Sequence, residues 1–157
     1  MTLTPWRVQV TWPVMTEEPT KPKGFPTPLV QSFILADHVY QDVSGKKIIA
    51  GTFNMLVSEA FGPPRVMNKP VFAYLAITGC HGTLQVQLRY VDLKDDSVLL
   101  QSGIIPMEAA DPLATYEVIM EVPPLPLPHP GQYSFEAYCN GERIGGLKVT
   151  VIEKKEG

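Results

Sequence analysis

The chain has 157 residues, of which 45% are hydrophobic and 18% charged, and its formal net charge is −3. A chain of this length corresponds to one compact domain whose core needs no disulfide or metal. The basic residues are scattered, which argues against a nucleic-acid-binding protein, and no apolar run has the length of a membrane span. The first ten residues lack the cationic start and apolar block of a secretion signal, so we expect a cytoplasmic protein.

The first predicted element is a strand with a strongly apolar face. Apolar and polar residues alternate between positions 6 and 12, and the apolar set is Trp6, Val8, Val10 and Trp12. Prolines at positions 13, 19, 22, 26 and 28 then separate this strand from the rest of the chain. Two tryptophans on one face are costly to leave in water. The strand therefore either folds back onto its own domain or adds to the edge of another copy.

Two strand-like runs follow, at 33–43 and 47–57, around the turn Ser44-Gly45. Asp37 has the same strand parity as its apolar neighbours, and a carboxylate on a core face must be paired. Lys46, Lys47 or Thr52, across the hairpin, could supply the partner. A structural hydrogen bond is the simpler interpretation, and Asp37 with His38 as a polar ligand site is the functional alternative.

Period-2 alternation continues through the middle of the chain and indicates half-buried strands. We predict strands at 71–79, 84–92 and 97–103, separated by the turns 80–82 and 94–96. Residues 106–114 contain the best helical pattern, but the proline at position 112 limits it to about one turn. We therefore predict a loop there.

The last third of the chain contains a run that is mostly proline, Pro123 to Pro130. It cannot supply a continuous ladder of hydrogen bonds, so we predict an extended connection between two sheets. A strand precedes it at 116–122 and another follows at 132–139. The turn Asn140-Gly141 suits the positive φ angles of a type I′ hairpin, and the final strand ends near residue 152.

Two stretches of sequence resemble an uncharacterised family of small bacterial proteins known as a domain of unknown function. One combines Phe33-Ile-Leu-Ala-Asp-His-Val with Gly45-Lys46 and the segment 48–53. The other combines 125–130 with Gly131-Gln-Tyr-Ser-Phe and the segment 140–142. The resemblance covers residues 30 to about 152. It implies a β-sandwich of immunoglobulin-like or C2-like type, and it implies no activity, substrate or partner.

Tyr133 lies where late strands of immunoglobulin-like sandwiches carry a tyrosine that anchors a corner through its hydroxyl. Antibody domains place a cysteine two residues later, but this chain has Phe135 there. The chain therefore departs from the disulfide-bonded pattern. We expect Cys80 and Cys139 to be free thiols, because no disulfide framework or exported context is present.

No cofactor or metal site is expected. The histidines and cysteines lack the spacing of zinc ligands. The cluster of Asp92, Asp95 and Asp96 lies on one predicted hairpin and is typical of a solvated turn. Calcium binding by this acidic cluster is the alternative left open, since carboxylates at loop ends can hold that ion.

The residues together predict an all-β, antiparallel sandwich of about seven to nine strands. We expect an N-terminal arm at 1–29, a sandwich domain at 30–152 and a charged tail at 153–157. Because no catalytic cluster is evident, we expect a non-enzymatic protein-interaction or structural module, without nucleic-acid or membrane partners. The apolar face of the 6–12 strand predicts a homodimer through the arm.

Two other functions remain open. One is a sandwich that binds a small ligand or carbohydrate through an outer stripe of Tyr40, Tyr74 and Tyr138. The other, less favoured, is a hydrolase that uses His38 or His81 with a nearby carboxylate. Sandwich folds host all these classes, so the fold cannot choose between them.

Overall fold

The structure is a computed structural model that describes residues 27–62, 67 and 69–156, and this part of the chain is all-β. No helix in the described part is long and apolar enough to cross a membrane. The ten strands are β1 Leu29–Gln41, β2 Lys47–Thr52, β3 Met55–Ser58, β4 Val71–Thr78, β5 Gly82–Asp92, β6 Ser97–Gln101, β7 Ile105–Ala109, β8 Tyr116–Val122, β9 Gly131–Cys139 and β10 Glu142–Glu153.

The strands form two sheets, as a β-sandwich requires. The four-stranded sheet has the order β2-β1-β4-β8, and the six-stranded sheet has the order β3-β10-β9-β5-β6, with β7 also paired to β5. All pairs are antiparallel except β3 with β10. The predicted antiparallel sandwich is thereby confirmed.

The main core lies between the sheets because alternate residues of each strand point inward. The largest fully buried side chains come from both sheets, and their list includes Tyr90, Tyr133, Phe135, Leu35, Leu75, Ile77, Leu84, Leu88 and Met120. Tyr90 stacks on Tyr133 with ring centroids 5.3 Å apart. Burial of these side chains is the main source of folding free energy, at about 25 cal/mol per Å² of apolar surface.

The strand pattern differs from the prediction in two places. The predicted loop at 106–114 is wrong over its first part, because Ile105–Ala109 is strand β7. Pro106 is compatible with this strand, since β7 is an edge strand that pairs only with β5. The predicted run at 47–57 is two strands in different sheets, because the chain crosses between the sheets at Phe53 and Asn54.

The proline-rich segment connects the two sheets as predicted, from β8 in one sheet to β9 in the other. Leu125 and Leu127 are buried. Their carbonyl oxygens accept hydrogen bonds from the backbone N–H groups of Met67, at 2.7 Å, and Gly62, at 3.0 Å. The connection is therefore held by apolar contacts and by backbone hydrogen bonds.

The predicted Asn140-Gly141 hairpin is confirmed by positive φ angles of 50° and 83°. The Asn140 side chain also makes a hydrogen bond that a turn of this type does not require. Its Oδ1 accepts a hydrogen bond from the Gln85 backbone N–H at 2.9 Å, and the Gln85 carbonyl accepts one from the Asn140 N–H at the same distance. The turn is thereby tied to β5.

The turn end of the β1–β2 hairpin, where Gln41 pairs with Lys47, bends over the outer face of the four-stranded sheet. The strand register separates Lys47 from Glu117 by about 30 Å along the strand direction, yet Lys47 Nζ lies 3.2 Å from Glu117 Oε1. Only a folded-back hairpin allows this contact. It also explains a second buried cluster, which consists of Ala36, Val39 and Ile119 with Ile49, Phe72 and Tyr74 against it.

Candidate functional site

The two sheets approach each other where β1 runs beside β10. At one end the strands touch, because a Cβ placed on Gly145 would lie 2.9 Å from Val30 Cγ2. Beyond this contact they separate and leave an open cleft of about 530 Å³. We call it the seam cleft, and its lining residues are Phe33, Ile34, Leu35, Thr52, Phe53, Asn54, Leu147 and Lys148.

The other end of the seam cleft is closed by the chain crossing from β2 to β3. The Phe53 N–H donates to the Leu35 carbonyl of β1 at 3.1 Å, and the Asn54 carbonyl accepts from the Thr150 N–H of β10 at 2.9 Å. These two consecutive residues bridge β1 and β10. The bridge and the contact at the opposite end show that the two strands run in the same direction along the cleft.

Both long walls of the cleft are unpaired strand edges within the described residues. On the cleft side, β1 pairs with β2 only from Ala36 onward, and β10 pairs with β3 only from Thr150 onward. Backbone polar groups alternate sides along a strand. Because the Leu35 carbonyl and the Thr150 N–H point to this side, the backbone groups of Phe33 and Lys148 point there too. The cleft thus offers hydrogen-bonding groups from two edges.

The structure pairs Asp37 with a residue that was not anticipated. Its Oδ1 lies 2.7 Å from Lys69 Nζ, which comes from the segment before β4 rather than from the facing hairpin strand. Gly51 makes room for this carboxylate, since a Cβ there would lie 2.5 Å from Asp37 Oδ2. The predicted partners Lys46, Lys47 and Thr52 are therefore wrong, although the expected pairing exists.

His38 does not join Asp37 in one site. It is exposed, and its ring stacks on Tyr40 with centroids 5.6 Å apart and lies 6.1 Å from the Phe72 ring. The Asp37 carboxylate is instead engaged with Lys69. The pair proposed from the sequence thus divides into an ion pair and an aromatic contact.

A polar cluster that the sequence did not predict surrounds His129, at the end of the proline-rich segment. His129 Nε2 lies 2.6 Å from Asp92 Oδ2, and Nδ1 lies 2.8 Å from the Pro130 carbonyl oxygen. Both partners accept hydrogen bonds, so the imidazolium form satisfies both. The Pro130 carbonyl and then Asp92 raise the pKa of His129 above its usual 6.5. The sequence feature that could have indicated this cluster is the position of His129, just before the corner tyrosine Tyr133.

The tyrosine corner predicted at Tyr133 is present in the structure. The Tyr133 hydroxyl donates to the His129 carbonyl at 2.6 Å and accepts from the His129 N–H at 3.3 Å. The Tyr90 hydroxyl donates to the Pro126 carbonyl at 3.1 Å. Two stacked tyrosines therefore fix the proline-rich segment to the core.

Both cysteines are free thiols, as predicted, and both are buried. Burial raises the pKa of the Cys139 thiol to about 11, with a smaller contribution from Cys80. The pKa of Cys80 is also raised by burial. A thiol with a raised pKa is mostly protonated at neutral pH and is a poor nucleophile.

The acidic cluster is organised as a turn. Asp92 Oδ1 accepts from the Lys94 N–H at 2.9 Å, and Asp95 Oδ1 accepts from the Ser97 hydroxyl at 2.6 Å. Asp95 and Asp96 are exposed, as the predicted solvated turn requires, but Asp92 is buried, so the prediction is wrong for that residue. Across the residues that the structure covers, no three His, Cys, Asp or Glu side chains are grouped to hold a metal ion.

The three tyrosines of the ligand-binding hypothesis do not form one stripe. Tyr40 and Tyr74 belong to the four-stranded sheet, whereas Tyr138 belongs to the six-stranded sheet. The Tyr74 hydroxyl donates to Glu117 Oε2 at 2.5 Å, and burial followed by this bond raises its pKa to about 12. The predicted interaction residues Trp6, Val8, Val10 and Trp12 lie outside the described residues.

These features define a β-sandwich with an open seam. The model of a family of unknown function, DUF6941, matches residues 31–152, and the chain belongs to that family. No curated protein matches the chain. Among solved structures it is similar to the alkylpurine DNA glycosylase AlkC of Pseudomonas fluorescens, bound to DNA containing an abasic site analog. The identity is 11%, the TM-score is 0.43, and the match covers 76% of this chain and 30% of the glycosylase chain.

Proposed function

We propose that this chain is a non-enzymatic protein-interaction module that forms a homodimer by strand addition through its N-terminal arm. The observation that carries the proposal is the pair of unpaired strand edges, β1 and β10, facing one cleft. An extended segment placed there gains main-chain hydrogen bonds from an existing sheet edge, which is a recurring mode of peptide recognition.

Three titratable side chains among the described residues, His129, Cys80 and Cys139, are poorly placed for catalysis, which favours a binding role. Both ring nitrogens of His129 have partners, so this histidine offers no free nitrogen for proton transfer. The thiols of Cys80 and Cys139 are buried and have raised pKa values. General acid–base or nucleophilic catalysis needs a group that can reach a substrate in its reactive state.

The proposed partner is a second copy of the chain, and the proposed contact is the strand predicted at residues 6–12. The apolar face of this strand needs a surface to cover it, because a tryptophan side chain stabilises a structure more when it is buried than when it is exposed to water. Cyclic dimers are the commonest oligomers of a single chain. The module therefore forms a homodimer in which each arm engages the other sandwich.

The test is the mass in solution of the full chain, measured by light scattering. We expect a dimer for the natural sequence and a monomer for the double variant Trp6→Ala/Trp12→Ala. The control Arg7→Ala/Thr11→Ala changes the polar face of the same predicted strand and should remain a dimer. A monomeric natural chain, or a dimer that survives the tryptophan changes, would contradict the proposal.

A further inference from the structure

We propose that the seam cleft receives residues 6–12 of a second copy as an added strand between β1 and β10. This inference rests on the proposed function and specifies where the contact occurs. The cleft extends from the Val30–Gly145 contact to the bridge at Phe53 and Asn54. Along β1, this distance corresponds to five residues, or about 16 Å. The 6–12 strand has seven residues, so about five of them would lie between the two walls and hydrogen-bond to them.

The lining of the cleft matches the two faces of the 6–12 segment. Phe33, Phe53 and Leu147 are partly buried and pack against the main core, so they form an apolar floor. The tryptophan and valine face of the added strand would cover this floor. Its polar face, with Arg7, Gln9 and Thr11, would then point outward beside the exposed Lys148.

The length of chain that precedes Thr27 allows the predicted strand to reach a second copy. The Thr27 hydroxyl donates to Glu142 Oε2 at 2.8 Å, which fixes the chain beside the first residue of β10, near the Gly145 end of the cleft. Residues 13–26 contain four prolines. Fourteen residues can span at most on the order of 40 Å, at about 3.1 Å per residue. A segment of this length is long enough to reach the cleft of a second copy.

Cysteine crosslinking between two full-length variants tests the arrangement directly. One copy carries Lys148→Cys, and the other carries Arg7→Cys, Gln9→Cys or Thr11→Cys. Neighbouring strands place same-face Cβ atoms about 4.5–5.5 Å apart, which is close to disulfide distance. After oxidation of the mixture, we expect a covalent heterodimer for at least one outward-facing position.

Two sets of cysteine variants serve as controls for the crosslinking. Val8→Cys and Val10→Cys lie on the opposite face of the same strand and should crosslink less to Lys148→Cys. Lys94→Cys lies in the exposed β5–β6 turn and should not crosslink to the arm. Equal yields at Lys94→Cys and Lys148→Cys would overturn the proposal. A crosslinked monomer, formed when both cysteines are on one chain, would overturn the assignment to a second copy.

Tryptophan fluorescence supplies an independent measurement because Trp6 and Trp12 are the only tryptophans in the chain. Lys148→Pro removes an N–H that points into the cleft and spares the hydrogen bonds between β9 and β10. We expect a red shift of the emission and loss of the dimer in this variant. Lys148→Thr keeps the N–H and should leave both unchanged. An unchanged emission in Lys148→Pro, with the fold intact by circular dichroism, would overturn the cleft as the site.

The results separate the two proposals. A natural-sequence dimer without crosslinks at Lys148→Cys would leave the interaction module standing and overturn the cleft. A monomeric natural chain would overturn both. Crosslinks at Lys148→Cys, together with loss of the dimer in the Lys148→Pro variant, would support both proposals.

Discussion

The proline-rich connection and the seam cleft are two of the places where the sheets of this sandwich meet, and they are built in different ways. At the connection, Tyr90 and Tyr133 hold backbone carbonyls from within the core, and His129 bonds to Asp92. At the seam cleft, the walls are strand edges that lack strand partners among the described residues. One junction is closed by the chain's own hydrogen bonds, whereas the other is open to an added strand.

This difference predicts that residues for stability and residues for the proposed binding lie in separate parts of the sandwich. A closed junction in which the buried polar groups are paired resists local opening. An open strand edge favours association, and proteins usually protect such edges unless they are used. We therefore expect changes at the proline-rich connection to affect folding and changes at the seam cleft to affect association.

The largest expected effect comes from Leu125→Ala in the proline-rich connection. Leu125 is fully buried in the main core, so the change should lower the free energy of unfolding by about 2–5 kcal/mol. Leu147→Ala, at the partly exposed floor of the seam cleft, should cost about 1 kcal/mol. Urea unfolding of both variants measures the difference. Equal losses at the two positions would contradict the contrast between the junctions.

Tyr133→Phe should have the next largest effect. It removes the hydroxyl that donates to the His129 carbonyl and accepts from the His129 N–H. Leaving buried polar groups without partners costs about 1–3 kcal/mol. The control is Tyr40→Phe, at a half-exposed ring on the hairpin, with an expected change of about 0.5 kcal/mol or less. Chemical unfolding should rank the two in this order, and the reverse order would argue against the corner.

Gly51→Ala probes the bend of the β1–β2 hairpin at the side of the seam cleft. Gly51 has a φ angle of 73°, which costs an alanine about 1–2 kcal/mol, and the new Cβ would press on Asp37. Gly45→Ala is the matched control, because it also has a positive φ but no atom within 4 Å. The difference between the two variants measures the Asp37 contact. Asp37→Ala in the Gly51→Ala background should reduce that difference, because it removes the carboxylate that the new Cβ meets.

The smallest expected effect is the pH dependence of the His129 contact. Its pKa is raised in the folded state, so its stabilisation is fully present below the unfolded value of 6.5 and is lost as the pH rises through the folded value. His129→Gln should therefore destabilise the protein more at about pH 6 than at about pH 9. Urea unfolding at both values measures this, and an equal loss at both would show that the charge contributes nothing.

Local sequence predicted most of the strands because they alternate apolar and polar residues. It also predicted the Asn140-Gly141 turn and the proline-rich connection, whose chemistry is local. The loop predicted at 106–114 was wrong over its first part, which belongs to β7, because the pattern does not reveal that an edge position accepts Pro106. Lys69 was missed as the partner of Asp37 since the two residues are far apart in the chain.

The sequence by itself determined the class of the fold, the free state of the thiols of Cys80 and Cys139, and the anchoring role of Tyr133. Each depends on a residue type in a recognisable local pattern. Only the tertiary structure decided the seam cleft and the His129–Asp92 contact. Both depend on which strand edges face each other and on distances between residues that are remote in the chain, and strand register sets these through the packing of the whole sandwich.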